Sequence, residues 1–233
     1  RPVGLLEFRE VVDVLLLELL GIELGHGRPS SPGDKKRAIG GYLPGGAHPI
    51  PVTGLSLPGV GLGTAHVTGP RVIREALDIG YRFLDTARMY QTGDGRPMEA
   101  VVGEALAETS IPRDELVVAT KVDADPHAIR ESIDESLDDL GLSSVDLLYV
   151  HWPTEDMDVE ATMAALEDVR EAGKATHLGL SNFHPPLLEA ACEAANAPIE
   201  ALQVELHPLL PQPDLRAAAR SMDMSIVAYG PLV

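Results

Sequence analysis

The sequence predicts an α/β chain whose parallel strands roll into a (β/α)8 TIM barrel, with seven of the eight strands present. Three observations predict it. From Ile50 onward, short apolar runs rich in Val, Ile, Leu and Tyr alternate with longer amphipathic stretches. The apolar runs start every 22 to 34 residues, the length of one strand plus one crossover helix, which forces parallel pairing. They are continuously apolar rather than alternating, as in a sheet covered on both faces.

In chain order the predicted strands are VGLGT (60–64), RFLDT (82–86), LVVATKV (116–122), VDLLYVH (145–151), THLGLS (176–181), ALQVEL (201–206) and SIVAYG (225–230). Helices are predicted over PRVIREALDIG, EAVVGEALAET, PHAIRESIDESLDDLG, VEATMAALEDVREAG, PPLLEAACEAAN and PDLRAAARSM. Several open on Pro or an acidic residue, and three end at Gly80, Gly141 and Gly173, the expected helix punctuation. Seven such units also suit an open, doubly wound sheet with a dinucleotide loop after the first strand. The glycine spacing argues against it. After Gly59 and Gly61 the third position of GxGxxG is Thr64, after Gly61 and Gly63 it is His66, and no helix opens on these glycines. The barrel is therefore expected over residues 48–233. Residues 1–47 read differently, a helix-like apolar piece from Leu5 to Leu24 followed by a Gly- and Pro-dense linker, and are expected to be poorly structured.

The charge is unusual: 36 acidic residues against 18 basic ones give a formal net charge of −18. Such a surface repels nucleic acid and anionic lipid, so neither is expected as a partner. A very acidic, Lys-poor surface also suits high salt, and a halophilic source is expected, with a merely acidic protein as the alternative. Cys192 is the single cysteine, which excludes an internal disulfide, and its Ala-rich helical setting predicts an inert thiol. The apolar run from Val11 to Ile22 is too short and too charged for a membrane span and lacks the basic lead-in of a signal peptide. A cytoplasmic protein is expected.

Catalytic residues of a parallel barrel lie at the C-terminal ends of its strands. Those ends are polar here: Asp85, Lys121, His151, Ser181 with Asn182, Gln203 with Glu205, and Tyr229. Tyr90 follows Asp85 by five residues and can swing over the same mouth. Singly, Asp85 reads equally well as a helix cap, Tyr90 as a packing residue and His151 as a core histidine. Lys121 is harder to dismiss, because an ammonium in a buried strand is costly unless a carboxylate pairs with it, and Asp85 is on the adjacent strand. Together the four suit acid catalysis. A phenol has a pKa of about 10, a neighbouring cation lowers it, and Tyr90 then serves as general acid while His151 orients a carbonyl oxygen. No side chain supplies a hydride, so a cofactor is implied.

From about Pro51 to Leu232 the sequence resembles the aldo-keto reductases, through LPGVGLGTA, GYRFLDTARMY, LVVATKV, VDLLYVHWP, EAGKATHLGLSNF, LQVELHPLLPQ and VAYGPL in family order. The resemblance implies reduction of a small carbonyl substrate by NADP(H), with NAD(H) not excluded. Asp85, Tyr90, Lys121 and His151 would be the catalytic tetrad. Ser181, Asn182 and Gln203 would hold the nicotinamide carboxamide and Tyr229 would stack on its ring. Gly63, Thr64 and Asp85 would touch the same end of the cofactor, and Trp152 would line the substrate pocket. No metal is implied, and the complete enzyme is expected to be a monomer. A non-catalytic nicotinamide-binding subunit is the alternative, and a metal-dependent barrel enzyme using His151 and Glu205 a weaker one.

Four features depart from the family pattern. About six extra residues within QTGDGRP separate Tyr90 from MEAVVG, with Met98 where Asn is usual; they border the substrate mouth and are expected to reshape specificity or loosen Tyr90. Ala65 stands where an aromatic is frequent, and Gly230 replaces a Ser. The chain ends at Val233 with no eighth strand, so it is expected to be a fragment of a longer enzyme, with two unpaired strand edges as written.

Overall fold

The structure is a computed structural model describing residues 54–232; the predicted 1–47 extension lies outside them. Seven strands pair in parallel and in chain order: β1 (Leu62–Gly63), β2 (Phe83–Asp85), β3 (Val117–Val122), β4 (Val145–Val150), β5 (Ala175–Ser181), β6 (Ile199–Glu205) and β7 (Ser225–Tyr229). Six helices fill the crossovers: α1 (Pro70–Ile79), α2 (Met98–Glu108), α3 (Pro126–Leu140), α4 (Val159–Glu171), α5 (Pro185–Ala194) and α6 (Pro213–Ser221). The sheet curls into a nearly closed barrel, and among the described residues β1 and β7 each have one neighbour.

The helices start and stop where their chemistry dictates. Pro occupies the first turn of α1, α3, α5 and α6, where its missing N–H costs nothing. Asp125 caps α3 by accepting from the His127 and Ala128 N–H groups, and Asp158 caps α4 by accepting from Ala161. Gly80, Gly141 and Gly173 all take positive φ at or just after helix ends. The main departure from expectation is β1, two residues long instead of five. It has a single partner, and Gly61 and Gly63 give it no side chains to pack.

Two apolar clusters hold the molecule together. The larger lies between helices and sheet and includes Ile73, Val101, Ile129, Leu148 and Leu166, all essentially without exposure. The smaller fills the barrel interior with Leu55, Phe83, Ala119, Leu147, Tyr149 and Ala201. A Cβ on Gly179 would come within 2.5 Å of the Tyr149 ring, so the large ring inside the barrel requires a residue without a side chain beside it on the neighbouring strand. Side chains on a strand alternate between faces, so these interior residues fix which later positions also point inward. Two residues beyond Phe83, Ala119, Tyr149, Gly179 and Ala201 stand Asp85, Lys121, His151, Ser181 and Gln203. The last inward rung at the C-terminal mouth is polar.

Candidate active site

The buried ammonium organises the mouth. Lys121 Nζ donates to Asp85 Oδ1 at 2.5 Å and to the Thr86 carbonyl at 2.7 Å, with its side chain fully buried. The second Asp85 oxygen accepts from Gln203 Nε2 at 2.8 Å. The Asp85 backbone carbonyl accepts from both the N–H and the hydroxyl of Thr64, at 2.9 and 3.0 Å. The desolvation cost of a charge inside the barrel is thus offset by a paired and fully hydrogen-bonded carboxylate.

Tyr90 lies on the β2–α2 connection, with Lys121 Nζ 5.2 Å from its ring centroid and the His151 ring 5.5 Å away at 76°. Its phenol is pushed up to about 12, first by burial and then by the Asp85 charge. Burial thus outweighs the expected lowering by Lys121, whose ammonium is spent on Asp85, and the Asp85 carboxylate adds to the rise. Tyr90 keeps its proton at neutral pH. His151 is pushed down to about 4, chiefly by burial and then by Lys121, so its ring is neutral and retains both a donor and an acceptor nitrogen. Trp152 is 52% exposed and stacks beside His151 at 6.3 Å, at the solvent side of the mouth.

A second cluster continues around the rim. Asn182 adopts φ 66, a left-handed conformation that Asn tolerates better than most residues. Its Nδ2 donates to the His151 carbonyl and to Ser181 Oγ, each at 3.0 Å, and Tyr229 donates its hydroxyl to Asn182 Oδ1 at 2.8 Å. The two clusters join through Gln203, whose side chain donates to Asp85 and whose carbonyl accepts from the Asn182 N–H at 2.9 Å, so polar groups at the ends of all seven strands form one network. Gly63 borders it, and a Cβ there would meet nothing within 4 Å. All the residues singled out in the sequence therefore gather at one mouth.

Residues 60–233 match the sequence model of the Aldo/keto reductase family. The chain belongs to that family. It is 37% identical to the 2,5-diketo-D-gluconic acid reductase B of a Corynebacterium species over 74% of this chain and 62% of that protein. It is 36% identical to methylglyoxal reductase DkgB of Escherichia coli O157:H7 over 75% of this chain and 67% of that protein. Among solved structures, an aldo/keto reductase from Brucella melitensis superposes with a TM-score of 0.72 at 30% identity, covering 79% of this chain and 72% of that one. A Bombyx mori aldo-keto reductase in complex with NADP gives 0.70 at 27% identity, covering 78% and 66%. The first of these curated relatives is matched over about three fifths of its length.

Two features of this aldo/keto reductase site go beyond the sequence reading: the anchoring of Arg88, and the way the extra residues after Tyr90 close. Arg88, between Asp85 and Tyr90, donates to Asp139 at 2.9 Å and to Glu135 at 2.5 Å, both on α3. It also lies 3.6 Å from Glu99, whose side chain is fully buried on α2 and accepts from the Thr120 hydroxyl at 2.5 Å. These contacts tie the Tyr90 segment to two helices, and the Arg88 N–H donates to the Lys121 carbonyl at 3.0 Å. Glu99 in EAVVGEAL looks like any helix carboxylate, so only its burial reveals it. The second feature is the stretch after Tyr90. Rather than loosening it, the extra residues close into a small hairpin: Gln91 bridges Pro97, and Met98 N–H donates to the Tyr90 carbonyl at 2.9 Å. Tyr90 and Met98 meet at its base, and the additional length bulges outward.

Proposed function

We propose that this chain forms the catalytic barrel of an NADPH-dependent carbonyl reductase that converts an aldehyde or ketone to an alcohol, with Tyr90 as the general acid. The observation that carries the reading is the buried Asp85–Lys121 pair set beside a protonated Tyr90 and a neutral His151. The neutral imidazole donates a hydrogen bond to the substrate oxygen and orients it towards the phenol. As Tyr90 gives up its proton, the Lys121 ammonium near its ring offsets the charge left behind. Trp152 gives the substrate an apolar wall. The names of the relatives support a carbonyl acceptor, since one reduces a diketo sugar acid and another methylglyoxal.

The polar groups on β5 to β7 suit a nicotinamide. Ser181 retains a hydroxyl proton to donate, Asn182 and Gln203 bring amides, and Tyr229 presents a half-buried ring. They would hold the carboxamide and the ring face, with Gly63, Thr64 and Asp85 beside them. NADPH, when bound, supplies the hydride that no side chain can. NADP over NAD follows the family resemblance and the Bombyx mori relative solved with NADP. No helix among the described residues is long and apolar enough to cross a membrane; a cytoplasmic monomer acting on a small molecule follows the family resemblance.

The test is NADPH oxidation with a panel of aldehydes, comparing the full-length natural protein with Tyr90→Phe. Losing the acid should reduce kcat by about 10²-fold or more. Equal rates would rule out Tyr90 as the donor, and faster oxidation of NADH would reassign the coenzyme.

A further inference from the structure

Asp85, Lys121 and His151 stand at or just past the ends of strands, but Tyr90 does not. It lies in the connection from β2 to α2, and the hairpin closed by the Gln91–Pro97 bridge separates it from the helix. The entropy cost of closing a loop grows with its length, so a longer connection holds its base less firmly unless other contacts fix its two ends.

Both ends lead to one pair of side chains. Before Tyr90, the backbone continues the β3 ladder beyond β2: the Thr86 N–H donates to the Ala119 carbonyl and the Arg88 N–H to the Lys121 carbonyl, both at 3.0 Å. The chain then turns, with the Tyr90 N–H donating back to the Ala87 carbonyl at 3.0 Å. After the hairpin, the Met98 N–H donates to the Tyr90 carbonyl at 2.9 Å, and the next residue is Glu99. Glu99 is fully buried. One of its oxygens accepts from the hydroxyl of Thr120, the neighbour of Lys121 on β3. Its other oxygen has no hydrogen bond and faces Arg88 Nη1 at 3.6 Å. A buried carboxylate needs a cation beside it, and Arg88 is the one that the described ion pairs give Glu99. Glu135 and Asp139 of α3 hold the rest of the guanidinium. The Arg88–Glu99 pair therefore spans the hairpin from behind and closes the connection on either side of Tyr90.

We propose that Arg88 is a positioning residue that, through Glu99, fixes Tyr90 against β3 so that its phenol stays aligned with Lys121 and His151 for proton transfer. The proposal rests on the reading of Tyr90 as general acid. It is tested with the full-length natural protein by NADPH oxidation on the aldehyde it reduces fastest, with NADPH affinity measured separately by fluorescence titration. Arg88→Met keeps the stem and removes the fork. A misplaced acid should lower kcat by about tenfold or more. NADPH affinity should stay within about twofold, because most of the proposed cofactor contacts lie on β5 to β7. Arg88→Lys, with the charge but not the fork, should recover part of the loss. In a Tyr90→Phe background the acid is already gone, so adding Arg88→Met should lower kcat by less than about twofold. If Arg88→Met does not fold, Glu99→Gln, of nearly the same shape, should show the same non-additivity with Tyr90→Phe. Equal losses in both backgrounds, an unchanged kcat, or NADPH affinity falling as far as kcat overturns the positioning role alone, since Tyr90→Phe still shows its own loss. Tyr90→Phe as fast as the parent sinks the general-acid reading and this role with it.

Discussion

Lys121 and His151 show how one rung of side chains sets two opposite demands. A buried ammonium is held inside the barrel by hydrogen bonds to Asp85 and a backbone carbonyl, while two elements away an imidazole is kept neutral by burial and by that same ammonium. This neutrality has a sign that can be measured. The folded-state value of His151, about 4, lies below its usual 6.5. Above pH 6.5 neither the folded nor the unfolded chain protonates it, and there is no penalty. As pH falls from 6.5 towards 4 the unfolded chain binds a proton that the folded one refuses, so stability falls over that window and levels off below it. Urea titrations at each pH should show this slope, and His151→Gln should flatten it; an identical slope in the variant would mean that His151 is not the group held neutral. At this scale the sequence is informative where a residue is out of place. Lys121 ending an apolar run demands a partner, and Asp85 is found there. The Tyr90 shift is not legible, because it depends first on how deeply the folded chain buries the phenol. Glu99 is not legible either, because burial on the inner side of α2 arises only once α3 packs over it.

Elements were readable in proportion to how locally they are determined. Pro at helix starts and Gly80, Gly141 and Gly173 at helix ends act through their own backbone preferences, and the structure places them as expected. The hairpin after Tyr90 was visible as extra length only; its closure depends on a Gln91–Pro97 bridge and on Thr92 bonding Arg96 across the turn. Packing between helices was invisible. Gly103 in the middle of α2 looks like a weak helix residue, yet a Cβ there would lie 2.4 Å from the Asp139 carbonyl of α3. Those are the two helices that hold Arg88 and Glu99, so their spacing bears on the Tyr90 segment. Gly103→Ala, normally a helix-favouring change, should instead cost about 1–3 kcal/mol through overpacking. Thermal unfolding should then shift down by roughly 2–10 °C for a domain of this size. A raised melting temperature would show that α2 and α3 can separate at no cost.

For the whole molecule, regular strand spacing made the barrel legible, since one strand and one crossover per repeat leave few alternatives. The charge is a second global property, and its consequence is thermodynamic rather than architectural. With 36 acidic and 18 basic residues, compaction brings a net −18 onto one surface, and self-repulsion opposes folding. The described ion pairs outside the site, such as Arg130–Asp168 and Lys174–Asp134, are partly exposed. Pairs of this kind contribute about 0–1 kcal/mol each and weaken with salt. Repulsion involves many more groups than attraction, so screening should help on balance. Raising salt from 0.1 to 1 M shortens the screening length from about 10 Å to about 3 Å, below the spacing of most surface charges. We therefore propose that the surface is adapted to high salt. The melting temperature and NADPH oxidation rate of the natural protein should both rise from 0.1 to 2 M KCl. A charge-reduced variant carrying Asp→Asn and Glu→Gln changes on the outer faces of α3 and α4, for example at Glu131, Asp138, Glu160 and Glu171, should show a smaller rise. A parent that is flat or less stable in molar KCl would leave the acidity without this role, and an equal rise in the variant would point to a general salt effect on apolar burial instead.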